Sequence, residues 1–362
     1  MSFANLYFIF LFLPVVTILY YWFKKYRLFI LIISSQLFYF YEGLDALVFL
    51  NLAILISYYA KKNIKLSLIF LFSTLFFFKY SFHLSTLFDF KILNFFSLKI
   101  DLKNTTVFAG LSFYTFQLAG YLLEKKKDLS LKELFLFTSF FPQIVAGPII
   151  KKKLFVDNLK NMEKGEGEDK KNGYRQLFFV EYLPKFLLFF SYGLFYKIVC
   201  ADILSIFSEN YSTYIEQAST NNDNINIYIF IFYAFAYGFR IYFDFAGYSL
   251  MAIGIGYLFN FKLPKNFDEP YKKLSIKDFW RHWHITLSMW FRDHIFNFRA
   301  NKIDSDENMV ENYIDDLISK YKIQGDMLII DHISSLNISK CIQIKNKLIY
   351  IPTIDNKFIK YI

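Results

Sequence analysis

The chain has 362 residues, of which 55% are hydrophobic and 22% aromatic, including 48 Phe and 28 Tyr; its mean hydropathy is +0.30. That much apolar surface excludes an ordinary soluble domain and indicates a polytopic, all-α membrane protein. The net charge of +10 then reads as cytoplasmic loops facing anionic lipid, not as nucleic-acid binding.

The first apolar run, residues 3–23, is long enough to span, with Pro14 as the expected kink. It carries no small-residue cleavage site and reads as a spanning helix that doubles as a targeting signal. Lys24, Lys25 and Arg27 follow, then shorter runs at 28–41, 46–60 and 66–78, with Lys61, Lys62 and Lys65 between the last two. The positive-inside rule puts both basic clusters in the cytoplasm and the N-terminus outside. Residues 81–104 alternate aromatic and polar groups and suit the membrane interface.

Residues 107–123 span again and carry Gly110, Ser112, Tyr114, Thr115 and Gln117. Polar groups at that depth glue helices together or line a tunnel. Residues 134–150 are apolar, flanked on both sides by basic clusters and broken by Pro142, Gly147 and Pro148. This pattern predicts a re-entrant segment that dips in and returns to the cytoplasmic side. Residues 158–175 read as a polar cytoplasmic loop. The run 176–207 carries Glu181 and Lys185 as an i,i+4 pair, with Lys197 and Asp202 near its far end. The two cysteines, Cys200 and Cys341, are distant; they give no disulfide framework, and no metal-ligand spacing exists.

Residues 240–293 are the stretch the rest is organised around. Arg240 and Asp244 share a helical face inside an apolar run. Charges in lipid are costly, so the pair either pins two helices together or faces a cavity. A polar loop, 263–271, contains Pro264 and Pro270 and suits a turn at the membrane surface. Ser275 and Asp278 then form a capping-box-like start to a helix expected over 276–296. On that helix Trp280, His284, Leu287, Ser288 and Phe291 share one face, with His282 and Asp293 opposite. His284 is therefore placed among aromatics, either as a base for a hydroxyl substrate or as a buried histidine that only hydrogen-bonds a neighbour. After residue 298 the chain turns polar, and 299–362 read as a non-membrane tail in which Ile329, Ile330, Leu348 and Ile349 suggest short strands.

The segments YFDFAGYSLMAIG, PKNFDEPY and SIKDFWRHWHITLSMWFRD, with GLSFYTFQ, FPQIVAGPI and YKIVCADIL before them in order, resemble the membrane-bound O-acyltransferases. The likeness is to the alginate O-acetyltransferase branch and covers about residues 3–296. It implies a helical bundle pierced by a tunnel, here over residues 1–298. An acyl thioester, acetyl-CoA or a carrier-protein thioester, enters from the cytoplasm as co-substrate, with no permanently bound cofactor and no metal. Acetyl groups pass to hydroxyls of an exported polysaccharide such as alginate, with a periplasmic or extracellular acetyltransferase as partner, at the bacterial inner membrane. On this resemblance His284 matches the histidine of the family's Trp-His-Ile-Ser-Leu-Ser motif and is the expected catalytic residue of this chain, and Asp202, Arg240, Asp244, Tyr248, Trp280 and Ser288 are expected to line the tunnel or support it. The family pattern departs at Leu250 (Asp in the family), Gln143 (often His) and His294 (Tyr). It also continues into further helices carrying a Trp-His-Gly motif, whose histidine is generally considered the catalytic base. No such motif follows residue 298, so another chain supplies that base, or His284 works alone, or the chain is an inactive homologue that keeps the fold; from the intramembrane charges and re-entrant segment, a transporter is the rival class.

Overall fold

Helix persists where the apolar runs are continuous and ends where glycine, proline or a basic pair interrupts them. The computed structural model describes residues 3–87, 107–124, 128–164, 178–207, 226–296, and 342–344 with 347–349. The chain divides into two compact units, Met1–His294 and Ile295–Ile362. The described helices of the first unit are α1 (Leu13–Trp22), α2 (Arg27–Phe40), α3 (Leu44–Tyr59), α4 (Ile64–Leu87), α5 (Leu111–Leu123), α6 (Leu131–Ser139), α7 (Lys152–Lys164), α8 (Leu183–Leu194), α9 (Ile227–Leu258), α10 (Ile276–His282) and α11 (Ile285–Phe291). In the second unit, β1 (Ile342–Ile344) pairs antiparallel with β2 (Lys347–Ile349). Leu348 and Ile349 thus fall in a strand as expected, while residues 329–330 lie outside the described residues.

Among the described residues three helical stretches are long and apolar enough to cross a membrane: Leu44–Tyr80, Phe178–Phe207 and Ile227–Leu258. A fourth pair, Phe8–Trp22 with Lys24–Phe40, passes the same test together but is bent by 113°. The bend is not at Pro14. Pro14 occupies the first turn of α1, where its missing N–H is no loss; the chain turns instead at Phe23 (φ −101°, ψ 68°). The lysines expected to separate two crossings at 46–60 and 66–78 also behave differently. Lys61 and Lys62 sit on a 3-10 turn, Ala60–Asn63, inside one 37-residue helical stretch.

The segment predicted to be re-entrant is broken where its prolines require. A capping box of Ser130 and Glu133 starts α6, which stops at Ser139, ahead of Pro142. Residues 140–150 then run as buried turns and extended chain. Such backbone survives away from water only if its polar groups find partners. The Gln117 side chain supplies two, donating to Ile150 O (2.9 Å) and accepting from Ile150 N (3.1 Å), and Ser35 Oγ accepts from Phe141 N (3.0 Å). Gly110, at φ 79°, lies against the same turn, and a Cβ there would overlap the Ile144 carbonyl. Gln117 is therefore polar glue. The polar loop expected at 158–175 begins later, because α7 continues to Lys164. One face of α7 is apolar and buried through Phe155, Leu159 and Met162.

Helices α8 and α9 pack through small residues. A Cβ on Gly193 would lie 2.6 Å from Gly247 O, and one on Gly254 3.0 Å from Phe190 N. Small residues let backbones approach this closely where lipid provides no hydrophobic drive between helices. The last carbonyls of α9 are satisfied from α1: Tyr21 donates its hydroxyl to Leu258 O (2.7 Å) and Tyr20 to Phe259 O (2.9 Å). Asn158 of α7 then holds Lys262 through both backbone groups (3.0 and 3.1 Å). These contacts fix where the loop after α9 begins.

Candidate active site

The loop at 263–271 does more than turn the chain. Its Asn266 is buried, accepts at Oδ1 from Thr286 Oγ1 (2.6 Å), and accepts at its backbone oxygen from Ile285 N (2.8 Å). Asp268 N donates to His282 O (3.1 Å). Thr286 Oγ1 in turn accepts from Ile149 N (3.1 Å), so one hydroxyl ties this loop to the 140–150 turn.

That clamp breaks the helix expected over 276–296. Trp283 is extended (φ −100°, ψ 126°), and His284 is left-handed (φ 42°, ψ 57°) as the N-cap of α11. Histidine tolerates this region better than most side chains, but a non-glycine residue stays there only when its surroundings enforce it. The enforcing contacts come from Asn266, eighteen positions earlier, so helical periodicity does not carry them. Asn266→Ala is expected to lose the Thr286 bond and destabilise the fold by about 1–3 kcal/mol, read as a lowered melting temperature in detergent.

The break changes which residues meet. His284 still lies among aromatics: its ring centroid is 4.7 Å from Phe245, edge-on, and 6.1 Å from Phe113. Its Nε2 is buried without a hydrogen-bond partner among the described residues. Residues 262–296 lie outside the three spanning stretches, and burial pushes the His284 pKa down, to about 4. The imidazole is therefore neutral at physiological pH, with a lone pair on one nitrogen. Trp280 does not join it. Its side chain is 58% exposed and touches Phe279. The tryptophan at the centre of the loop is Trp283, stacked on Phe279 (5.5 Å) and edge-on to Phe267 (5.1 Å). Ser288 is exposed, with its hydroxyl 3.4 Å from Trp283 O. His282 points away, against Asp278 O and the Asp268 carboxylate. At the start of α10 the Ser275 hydroxyl donates to Asp278 and holds that carboxyl below its usual range.

The charged residues also pair differently from their spacing. Asp244 pairs with Lys197 (2.6 Å) rather than with Arg240, and Asp202 pairs with the same ammonium (3.2 Å). The α8–α9 crossing at Gly193 and Gly247 brings Lys197 to Asp244, since a Cβ on Gly247 would lie 3.0 Å from Lys197 N. Sequence proximity favoured the i,i+4 partner. The structure thus joins Asp202 and Asp244 in one triad around Lys197, both carboxylates about half exposed in this chain, and Phe245, next to Asp244 on α9, is the ring that His284 meets. Tyr248 lies elsewhere again, stacked on Phe3 at 4.4 Å.

A cavity of about 300 Å³ opens next to this site. Its walls include Phe116, Gly120, Ile149, Thr286, Trp290 and His294, and its rim carries Lys151, Lys153 and Asp293. Lys151 and Asp293 form a salt bridge (2.5 Å). His284 is not among the lining residues. A second, small pocket shares Gln117 and Ile149 with the cavity and includes Phe113, the ring that His284 faces. Trp290 and His294, 5.0 Å apart, are the functional candidates that periodicity missed. Both border the space over Gly120 of α5, a glycine that stands out in three dimensions only.

Helices long and apolar enough to span a membrane thus stand beside a buried turn held by Gln117, Ser35 and Thr286, with a histidine at a strained helix break. The model of the MBOAT, membrane-bound O-acyltransferase family, matches residues 2–300, and the chain belongs to that family. It is similar to a peptidoglycan O-acetyltransferase of Helicobacter pylori, 38% identical over 161 residues, 44% of this chain and 27% of that protein. It is 31% identical over 192 residues to a probable alginate O-acetylase of Pseudomonas aeruginosa, 52% of this chain and 33% of the relative. A teichoic acid D-alanyltransferase of Bacillus subtilis is 31% identical over 200 residues, 52% of this chain and 44% of that protein. The matched segments thus span between about a quarter and under a half of the length of these relatives.

Proposed function

We propose that this chain carries a membrane-bound O-acyltransferase site that moves an acyl group, acetyl in the first instance, from a cytoplasmic thioester to hydroxyls of an exported envelope polysaccharide. Acetyl-CoA or a carrier-protein thioester is the donor. Alginate or a related polymer is the acceptor, and a periplasmic or extracellular acetyltransferase is the partner. The compartment is the bacterial inner membrane. Family membership supports the reaction class, and relatives named for peptidoglycan, alginate and teichoic acid support an envelope polymer as acceptor.

The observation that carries the assignment within this chain is His284. Its neutral ring is clamped at a helix break against Phe245 and Phe113, with Nε2 unpartnered among the described residues. A hydroxyl oxygen of the acceptor attacks the thioester carbonyl carbon, and Nε2 takes its proton. The C–S bond then breaks, and the proton passes to the departing thiolate. The sequence contains no G-x-S-x-G elbow to mark an acyl-enzyme step.

The depressed pKa gives the reaction a signature. The transfer rate is expected to hold as pH falls through 6.5, where an ordinary imidazole becomes charged, and to drop only towards about pH 4. A pH–rate profile in proteoliposomes with a midpoint near 6.5 would count against His284 as the base. Transfer of label from thioester to polymer tests the function itself; flux of acyl thioester with no transfer would favour transport instead.

A further inference from the structure

Residues 262–293 leave the end of α9 and come back to a basic cluster, and their contacts measure how far they travel in between. Asn158 holds the backbone of Lys262, and Tyr21 of α1 caps Leu258 just before it. That end of α1 leads into Lys24 and Lys25, which mark the cytoplasmic side. The loop then runs back along α9. A Cβ on Gly256 would meet Leu263 at 3.3 Å, Phe267 lies 5.0 Å from Phe245, and Tyr271 donates its hydroxyl to Gly238 O (3.4 Å). Helix α9 rises about 27 Å from Gly256 back to Gly238, and extended chain from Leu263 to Tyr271 reaches about the same distance. The loop is therefore close to fully drawn out, over nearly the thickness of a hydrocarbon core, about 30 Å. Beyond it α10 packs on Tyr271 through Phe279 (5.4 Å). The return leg carries Thr286 to Ile149 N (3.1 Å) and Asp293 to Lys151 (2.5 Å). The result is a hairpin with both ends on the lysine-rich side and its tip at residues 269–281.

That tip is charged. Lys272 pairs with Glu269 (2.7 Å) and Arg281 with Asp278 (3.2 Å), all four side chains being close to half exposed or more, and Lys277 is exposed as well. Such groups are costly in hydrocarbon, so the tip meets water on the side away from the lysine clusters. Rings stand open among these charges: Trp280 is 58% exposed and Tyr271 45%. A sugar ring packs its C–H face on an aromatic ring, while its hydroxyls bond to charged groups at the ring's edge. We propose that residues 269–281 open to the outer aqueous face and are the surface on which the acceptor polysaccharide docks. Trp280 is the stacking ring, and Lys277 and Arg281 are the donors beside it. The next residues along the chain are Trp283 and His284, so a polymer held at the tip lies at the approach to the base. The identity of the polymer rests on the acyl-transfer reading above; the outward position of the tip does not. Trp280 is a specificity-determining residue for the acceptor, set apart from the reacting atoms.

Two measurements on the full chain test this. In the first, Lys277→Cys is placed in a chain carrying Cys200→Ser and Cys341→Ser, and intact spheroplasts are treated with a membrane-impermeant maleimide. Label is expected at position 277 without permeabilisation, whereas Lys153→Cys in the same background is expected to label only after it. Label at 277 that needs permeabilisation overturns the proposal, whatever the protein's activity. In the second, a soluble alginate oligosaccharide is titrated into the purified chain in nanodiscs. Trp280→Ala is expected to weaken its binding at least fivefold, with the melting temperature within a few degrees of wild type. Trp22→Ala, an exposed tryptophan on α1, is expected to leave binding unchanged. Wild-type affinity in Trp280→Ala assigns that ring to the lipid interface and overturns the docking surface, while leaving the acyl-transfer reading intact. In transfer assays Trp280→Ala is expected to raise KM for the polymer severalfold with kcat held. A wild-type chain that binds the oligosaccharide but forms no ester on it overturns the acyl-transfer reading and leaves the docking surface standing.

Discussion

His284→Asn is expected to cut acyl transfer by about 10²–10⁴-fold, the range that a positioned general base supplies. Asparagine is the informative substitution because of the backbone. Residue 284 sits at φ 42°, ψ 57°, and Asn enters that region more readily than alanine or glutamine does. The variant therefore keeps the break between α10 and α11, along with the Asn266 contacts to Ile285 and Thr286. It removes only the imidazole. His284→Ala would mix the loss of the base with added backbone strain, and a poorly folded protein would be misread as a catalytic defect. Transfer is to be measured as label moved from an acyl thioester to a hydroxylated polymer in proteoliposomes, with the melting temperature recorded in parallel. Wild-type rate in a folded His284→Asn protein would remove His284 from the mechanism.

Gly247→Ile should damage the protein by another route and more broadly. A Cβ at 247 would lie 2.8 Å from Gly193 O, 3.0 Å from Lys197 N and 3.1 Å from the Tyr196 side chain. Two of these three neighbours are backbone atoms and cannot rotate away, so α8 and α9 must separate. Overpacking of this kind costs about 1–3 kcal/mol or more. The separation would also draw Lys197 from Asp244 and leave a carboxylate inside a spanning helix without the cation it now contacts. A drop in melting temperature and a loss of transfer are expected together. Gly238→Ala on the same helix is the control. Its Cβ would meet only Tyr271 Oη at 3.9 Å, an ordinary contact, and alanine for glycine inside a helix gains about 0.5–1 kcal/mol. If both substitutions lower the melting temperature equally, the close crossing is not what holds the pair together.

The two substitutions separate what was legible in the sequence from what was not. Apolar runs, their basic flanks and the break near Pro142 follow from local chemistry, and the buried turn falls where those signals put it, whereas the bend expected at Pro14 falls at Phe23 and the lysines at 61 and 62 do not separate two helical stretches. Placing His284 among aromatics was also correct, but the reason was not. The helical face that gathered Trp280, His284 and Ser288 does not exist, because Asn266 and Asp268 bind the chain at 282–286 and stop the helix. Trp283, at the break, packs on Phe267 and Phe279, and the rings beside His284 come from Phe245 and Phe113. The same cause misdirected Asp244: spacing of four suggested Arg240, whereas a glycine crossing between distant helices supplies Lys197. The cavity at Gly120, Trp290 and His294 was invisible for a related reason. It is made by α5 and the end of the 276–296 segment together, and neither strand of sequence marks it alone. Local rules carried the elements, and long-range contacts decided which side chains share a site.

The most direct measurement is a single-turnover reaction of the purified chain in proteoliposomes, with acetyl thioester inside and a hydroxyl-bearing envelope polymer outside. Thiol released and acetyl ester formed are to be counted in the same sample. The account predicts ester appearing on the polymer in equal amount to the thiol released, and neither product in the His284→Asn protein. Thiol release without ester, or ester formation that persists undiminished in that variant, would contradict it.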